Sequence, residues 1–417
     1  MKHNRRSQAP HSATRRNILK AAGAAGFGAA LGAPVVFAQS APAGFVPVLL
    51  LQGSAGVPGK TGLTLLGDRP LNMETPPHLL DDDATPAERF FVRNNGLPPD
   101  IGDVADEDWR LKIDGEVAHP FDLSIADLKH DFETVTLHLP VECGGNGRKF
   151  YRPAASGNQW TFGAVGFGVW TGVRLADVLD AAGVKPGAVY TGHYGADRHL
   201  SGDPAKHPIS RGVPIEKALE PHTLIAWALN GAPLPPQNGY PLRLVVPGWP
   251  GSCSQKWLTR IWVRDRVHDG EKMGGDAYRM PTHPVPPGAK VSDSDMEIIT
   301  SMPVKSLITF PATGAERKSR APFEVRGHAW SGETPVAAMH ISADFGATWQ
   351  EVALDSPTNK YASQRWRATL TSPEKGYYEI WARATDAAGV MQPPTPPGWN
   401  PKGYLNNMQH RIGIFAV

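Results

Sequence analysis

The chain has 417 residues, enough for two domains rather than one, and is 41% hydrophobic and 20% charged, the balance of a folded protein with a sizeable core. Its formal net charge of +2 includes six Lys or Arg and no acid in residues 1–38; taking six from +2 leaves −4 for the rest, so bulk charge points to no nucleic acid. With Gly at 44 and Pro at 40, turns and short strands are favoured over long helices.

The first element in chain order is an address. Thr14-Arg15-Arg16-Asn17-Ile18-Leu19-Lys20 precedes an uncharged Ala/Gly stretch, Pro34 and Val36-Phe37-Ala38, a small-residue cleavage pattern. Residues 1–38 are therefore expected to be a twin-arginine signal that sends the chain to the periplasm. A membrane anchor is the alternative, but a spanning helix needs about 20 strongly apolar residues. This stretch is mostly Ala and Gly and is broken by Pro34, so no stable membrane anchor is expected. Residues 39–88, rich in Gly, Pro and polar turns, are expected to be an irregular lead-in lying over the surface. Phe90 to Pro99 reads as a strand running into a loop that presents hydrogen-bonding side chains.

From Trp109 to Arg266 short strands and short helices are interspersed without a long βαβ rhythm, which predicts a mixed α+β domain. Trp109–Ile113 alternates as a strand, and Ser124 can cap a helix running through Leu128 and Phe132. Leu175–Ala182 is a short amphipathic helix stopped by Gly183. Leu224–Leu229 runs into Asn230-Gly231, a strong hairpin signal, and Leu242–Val246 is a further strand. After about residue 300 helical periodicity fades. Phe323–Val325, Val336–Ser342 and Tyr378–Ala384 are strand-like and are separated by Gly, Asp and Pro turns, which predicts an immunoglobulin-like sandwich, a closed barrel being the alternative. Such a domain serves assembly more often than chemistry, so the reaction is placed in the middle domain.

Only two cysteines occur, Cys143 and Cys253. Thr134–Val141 predicts a strand, and Cys143 follows it in Glu142-Cys143-Gly144-Gly145-Asn146-Gly147-Arg148, where glycines permit a tight turn. That is a place for a ligand: a metal, a substrate or the other cysteine. In an exported chain the default for a lone pair is a Cys143–Cys253 disulfide. No Cys-x-x-Cys-His occurs, so no c-type haem is expected in this chain, and no Cys or His spacing suggests zinc or an iron–sulfur cluster.

Six further motifs accompany the cysteine motif: Phe91-Val92-Arg93-Asn94, Trp160-Thr161-Phe162-Gly163-Ala164-Val165-Gly166, Asn230 to Pro235, Gly239 to Gly248, Lys256-Trp257-Leu258 and Trp399 to Tyr404. In this order the set resembles the sulfite oxidase family of molybdenum enzymes, and in particular the bacterial periplasmic sulfite dehydrogenases that lack a fused haem domain. The likeness runs from about Phe90 to Arg411. It implies an α+β chain: a mixed α/β molybdopterin-binding domain at 89–298, then an all-β immunoglobulin-like dimerisation domain at 299–417.

The resemblance also implies molybdenum held by a pyranopterin dithiolene, with Cys143 as the protein ligand, and so argues against the disulfide. A soft thiolate suits a sulfur-rich metal site. For the pterin and its phosphate the matching positions are Phe91, Arg93, Asn94, Asn95, Asp197, Asn238, Arg243, Ser252, Ser254 and Lys256, a set of fixed cations and amides. Relatives often carry His where this chain has Asn95 and Asn238; asparagine keeps donor and acceptor but cannot titrate. For the sulfite oxyanion the matches are Arg93 and Arg148, with Trp160 as a wall, Tyr278 as a hydroxyl at the reacting centre, and Lys402 reaching in from the second domain. His199 is expected to support Asp197 from behind. The implied activity is oxidation of sulfite to sulfate by a homodimer, with electrons leaving to an external acceptor, a small c-type cytochrome. Two rival readings are a periplasmic molybdenum-dependent methionine sulfoxide reductase, whose members usually lack the second domain, and a non-catalytic binding protein on the same scaffold.

Overall fold

The computed structural model describes residues 56–417 apart from Pro373; the expected export signal and residues 39–55 lie outside the described residues. Two sheets build the middle of the chain. In the first, Thr134–Glu142 pairs along its whole length with Val165–Arg174, which pairs in turn with Leu224–Leu229. Asn230 and Gly231 both have left-handed φ, 54° and 78°, so the Asn-Gly pair closes the two-residue hairpin onto Ala232–Pro233 that its sequence predicts. The second sheet has the order Phe121–Leu123, Leu111–Gly115, Leu258–Arg264, Tyr190–Gly195, Gly212–Pro214, and only the pairing of Leu111–Gly115 with Leu258–Arg264 is parallel.

Short helices cover this pair of sheets. Ile125–Asp131 begins in a capping box, where the Ser124 hydroxyl accepts from the Asp127 N–H and the Asp127 carboxylate accepts from the Ser124 N–H. Leu175–Ala182 buries Leu175, Val178, Leu179 and Ala182 and ends at Gly183, whose φ of 68° suits a residue without Cβ. Their apolar faces meet Leu111, Ile113, Ile261 and Val263 in one core.

The C-terminal region is a two-sheet sandwich. Lys305–Phe310, Pro322–Trp330 and Gln364–Thr371 form one sheet; Ala315–Arg317, His410–Ala416, Gly376–Asp386, Val336–Ser342 and Gln350–Val352 form the other. Along Gly376–Asp386 the even residues Ile380, Ala382 and Ala384 point into the core, the alternation that marks a half-buried strand. The α+β fold with a β-sandwich second domain thus follows the sequence pattern.

The lead-in departs from expectation. Thr64–Asp68 and Leu71–Glu74 form a hairpin that pairs onward with Val92–Arg93, and Leu63, Met73 and Leu80 are fully buried. Its strands are too short to show a period, and their order comes from distant partners: Thr75 N–H donates to Gly163 O (3.0 Å) and Thr85 N–H to Phe167 O (2.7 Å). Asp81 accepts from Arg326 of the sandwich (2.6 Å), so the segment ties both regions together. Leu80, Val165, Phe167, Leu307 and Trp330 close a small shared core.

Candidate active site

Cys143 is the residue immediately after the strand Thr134–Glu142. The strand delivers it, and the following turn fixes it: Cys143 N–H donates to Ala164 O (2.9 Å), and its carbonyl accepts from Asn146 N–H (2.8 Å). Gly147 turns the chain at φ 90°, where a Cβ would meet the Asn406 side chain at 2.8 Å. Leu405 N–H donates to Gly144 O (2.9 Å), so a loop of the second domain buttresses the turn. Both cysteines are free and buried. The default disulfide does not form, because Cys253 packs in the core between the two sheets while Cys143 belongs to a separate cluster with Phe91, Val141 and Trp160.

Cys143 opens onto a cleft of about 650 Å³, solvent included, whose walls carry Arg93, Arg243, Lys256 and a single carboxylate, Asp197. Among the described residues none of the three cations forms an ion pair. Arg243 donates to Asn238 O (2.7 Å) and Ser254 O (3.2 Å), and its guanidinium lies 4.8 Å from the centre of the Trp170 ring. Lys256 Nζ donates to Asn94 Oδ1 and to Gln237 O (2.8 Å). Burial pushes Arg243 down to about 9. Burial drives Lys256 well below the ordinary lysine value, and repulsion from Arg243 adds to this more than Asp197 offsets it. Asp197 is raised to about 6, first by burial, with Lys256 opposing. Burial by itself would depress Arg93, but Tyr278, Cys143 and Tyr404 hold it above the ordinary arginine value. Buried cations that repel one another around one weak acid are the walls of a site for a polyanion.

Residues 97–272 match the oxidoreductase molybdopterin binding domain, and residues 296–416 match the Mo-co oxidoreductase dimerisation domain. The chain is 34% identical over 370 residues to the mitochondrial sulfite oxidase of Drosophila melanogaster, covering 84% of this chain and 62% of that one. It is 32% identical over 366 residues to the sulfite oxidase of Gallus gallus, covering 85% of this chain and 78% of that one. The chain belongs to the sulfite oxidase family. It spans less than two thirds of the length of the fly protein. An inducible NADH nitrate reductase of Glycine max is also similar, 31% identical over 84% of this chain and 41% of its own. The crystal structure of the sulfane dehydrogenase SoxCD from Paracoccus pantotrophus shares the fold, with a TM-score of 0.68 at 24% identity, covering 91% of this chain and 96% of that one.

The residues present fit the molybdenum–pyranopterin group of a sulfite oxidase. The free thiol on the cleft wall is the soft donor such a metal takes. The Ser252 hydroxyl, buried on the cleft wall, has no partner among the described residues and is a donor for a ring or phosphate oxygen. The unpaired cations suit the phosphate.

The cleft brings together Phe91, Arg93, Asn95, Cys143, Asp197, Asn238, Arg243, Ser252, Ser254, Lys256 and Tyr278, all anticipated from the family pattern. Asn94 reaches it through its bond to Lys256. Tyr278 is buried at φ 54°, its ring stacked on Tyr404 (5.5 Å) and covered by the Arg211 guanidinium (4.8 Å).

Three expected substrate residues do not line the cleft. Trp160 is fully buried and packs edge-on against Phe91 at 6.4 Å. Arg148 donates to Asn158 O (2.8 Å) and to Lys402 O, and its guanidinium lies 5.2 Å from the Tyr404 ring. Lys402 pairs with Asp276 at 3.2 Å. Arg148 packs on Tyr404, which packs on Tyr278, and of the three only Tyr278 lines the cleft where the family resemblance places Arg148. His199 bonds Ser201 (2.8 Å) rather than Asp197.

Lys60 went unsuspected in the sequence. Its Nζ donates to Ala87 O, Phe90 O and Asn238 Oδ1 at 2.7, 2.9 and 2.5 Å, and burial lowers it to about 7. Asn238 in turn donates to Phe91 O (3.0 Å), so the lead-in braces one wall of the cofactor cleft. No local signal marks Lys60, because its partner is 178 residues away.

Proposed function

We propose that this chain is an exported sulfite dehydrogenase. Sulfite and water give sulfate, two protons and two electrons, and the electrons pass to an external carrier, a small c-type cytochrome, in the periplasm. The observation that carries this reading is the cleft itself: a free thiol, Arg93 and the Tyr278 side chain line the same space. A molybdenum–pyranopterin centre, when bound, supplies the two-electron oxygen transfer. Cys143 would hold the metal, while Arg243, Lys256, Asn238 and Ser252 would hold the pterin and its phosphate. Arg93 then offers a forked cation to a small oxyanion, and Tyr278 a hydroxyl that can donate to it. The export motif supports the periplasm as location, and the matched dimerisation domain supports a homodimer.

Methionine sulfoxide reduction on the same cofactor domain is the second reading. The sandwich domain, which such reductases usually lack, favours sulfite oxidation, and the cationic cleft favours an anionic substrate over a neutral sulfoxide. Holoenzyme from a host that makes the cofactor should reduce cytochrome c or ferricyanide on addition of sulfite. An enzyme that ignores sulfite, yet oxidises a reduced dye with methionine sulfoxide or nitrate, overturns the proposal. Cys143→Ser should contain far less molybdenum than wild type; equal content and activity would remove Cys143 from the site.

A further inference from the structure

Beside the cleft wall formed by Arg93, Asn95 and Tyr278, three donors converge on one neutral acceptor. Arg93 Nη2 (2.9 Å), Lys272 Nζ (3.0 Å) and the Tyr278 hydroxyl (3.4 Å) all point at Asn95 Oδ1. An amide oxygen has two lone pairs and no net charge, so it satisfies at most two of three donors and neutralises neither cation. Among the described residues neither Arg93 nor Lys272 forms an ion pair, and Lys402, a nearby cation, is paired with Asp276. Burial lowers Lys272, Arg93 and Lys402 lower it further, and Tyr278 and Asp197 oppose them. Lys272 also sits at φ 67°, a left-handed conformation unusual for a lysine, so the backbone holds its side chain toward Asn95 at a cost.

We propose that Lys272 is a substrate-binding residue, and that the Asn95 amide oxygen occupies the position an oxyanion oxygen takes when sulfite or sulfate binds between Arg93, Lys272 and Tyr278. The inference rests on the proposed activity for its substrate, but the anion cradle itself does not need turnover. A doubly charged tetrahedral or pyramidal oxyanion gives each donor its own oxygen, which one amide oxygen cannot do. The cradle selects for charge, so sulfite is favoured over neutral sulfur compounds. Asparagine at position 95 is the matching choice, because a histidine there would add a third cation on protonation, whereas an amide keeps an acceptor for Lys272.

Sulfate binding by the holoenzyme, followed by isothermal titration calorimetry beside sulfite kinetics, tests this. A charge-assisted hydrogen bond is worth about 1.5–3 kcal/mol, so Lys272→Met should raise the sulfate Kd and the sulfite KM by about tenfold or more, with kcat changed far less. Lys272→Arg should stay near wild type, and Lys272→Gln, checked by circular dichroism, should match Lys272→Met. Wild-type sulfate affinity and KM in both neutral variants would overturn the proposal. If wild type binds sulfate in a Lys272-dependent way yet does not oxidise sulfite, the cradle stands and the activity reading falls. A wild type that oxidises sulfite with Lys272-independent KM and Kd has the opposite meaning.

Discussion

Removing the Lys305 charge should weaken the join between the two domains at the residue that precedes Cys143. Lys305 and Glu142 form an ion pair with side chains only 6% and 3% exposed. The same carboxylate accepts from Asn146 Nδ2 (2.9 Å) and from Trp330 Nε1 (2.8 Å), so Lys305→Met leaves a buried anion with two neutral donors. Breaking a buried pair from one side costs about 3–5 kcal/mol. The two surviving bonds place this case at the lower end, about 3 kcal/mol, a factor of roughly 150 in the unfolding equilibrium. Lys305→Met combined with Glu142→Gln removes the stranded charge and should recover all but about 1 kcal/mol. Urea unfolding of the cofactor-free protein, read by circular dichroism, measures all three. Lys305→Met within 0.5 kcal/mol of wild type, taken as about the size of a surface change, would refute the reasoning. So would failure of Glu142→Gln to rescue it.

Lys256→Met should lower cofactor retention, measured as molybdenum per chain after gel filtration, while stabilising the cofactor-free protein, because it relieves the burial and repulsion that depress Lys256. Asp197→Asn should alter the pH dependence of stability in the cofactor-free protein. Asp197 is raised to about 6 by burial, so its contribution is fully present below the ordinary value near 3.8 and is lost as pH rises through 6. Between pH 5 and 7 the wild type should therefore lose on the order of 1 kcal/mol relative to Asp197→Asn, read from urea midpoints. Gly163→Ala should destabilise the joint between the lead-in and the cofactor domain by about 2 kcal/mol or more. A Cβ there would meet Thr75 O at 1.9 Å, and a thermal melt reads the loss.

The sequence by itself determined the features that depend on a few neighbouring residues. The helix cap at Ser124, the stop at Gly183 and the Asn230-Gly231 hairpin follow from local sterics and hydrogen bonding, and the structure shows each where the residues place it. The resemblance of the ordered motifs to the family also pointed to residues that line the cleft. Tertiary structure decided which side chains face that cleft. Arg148 has the right charge near Cys143, yet it stacks on Tyr404 while Tyr278 lines the cleft, and Lys272 reaches Asn95 from 177 residues away. The lead-in shows no period, yet it supplies Lys60 and a buried hairpin. Burial and charge convergence are properties of long-range packing, so no window of sequence contains them.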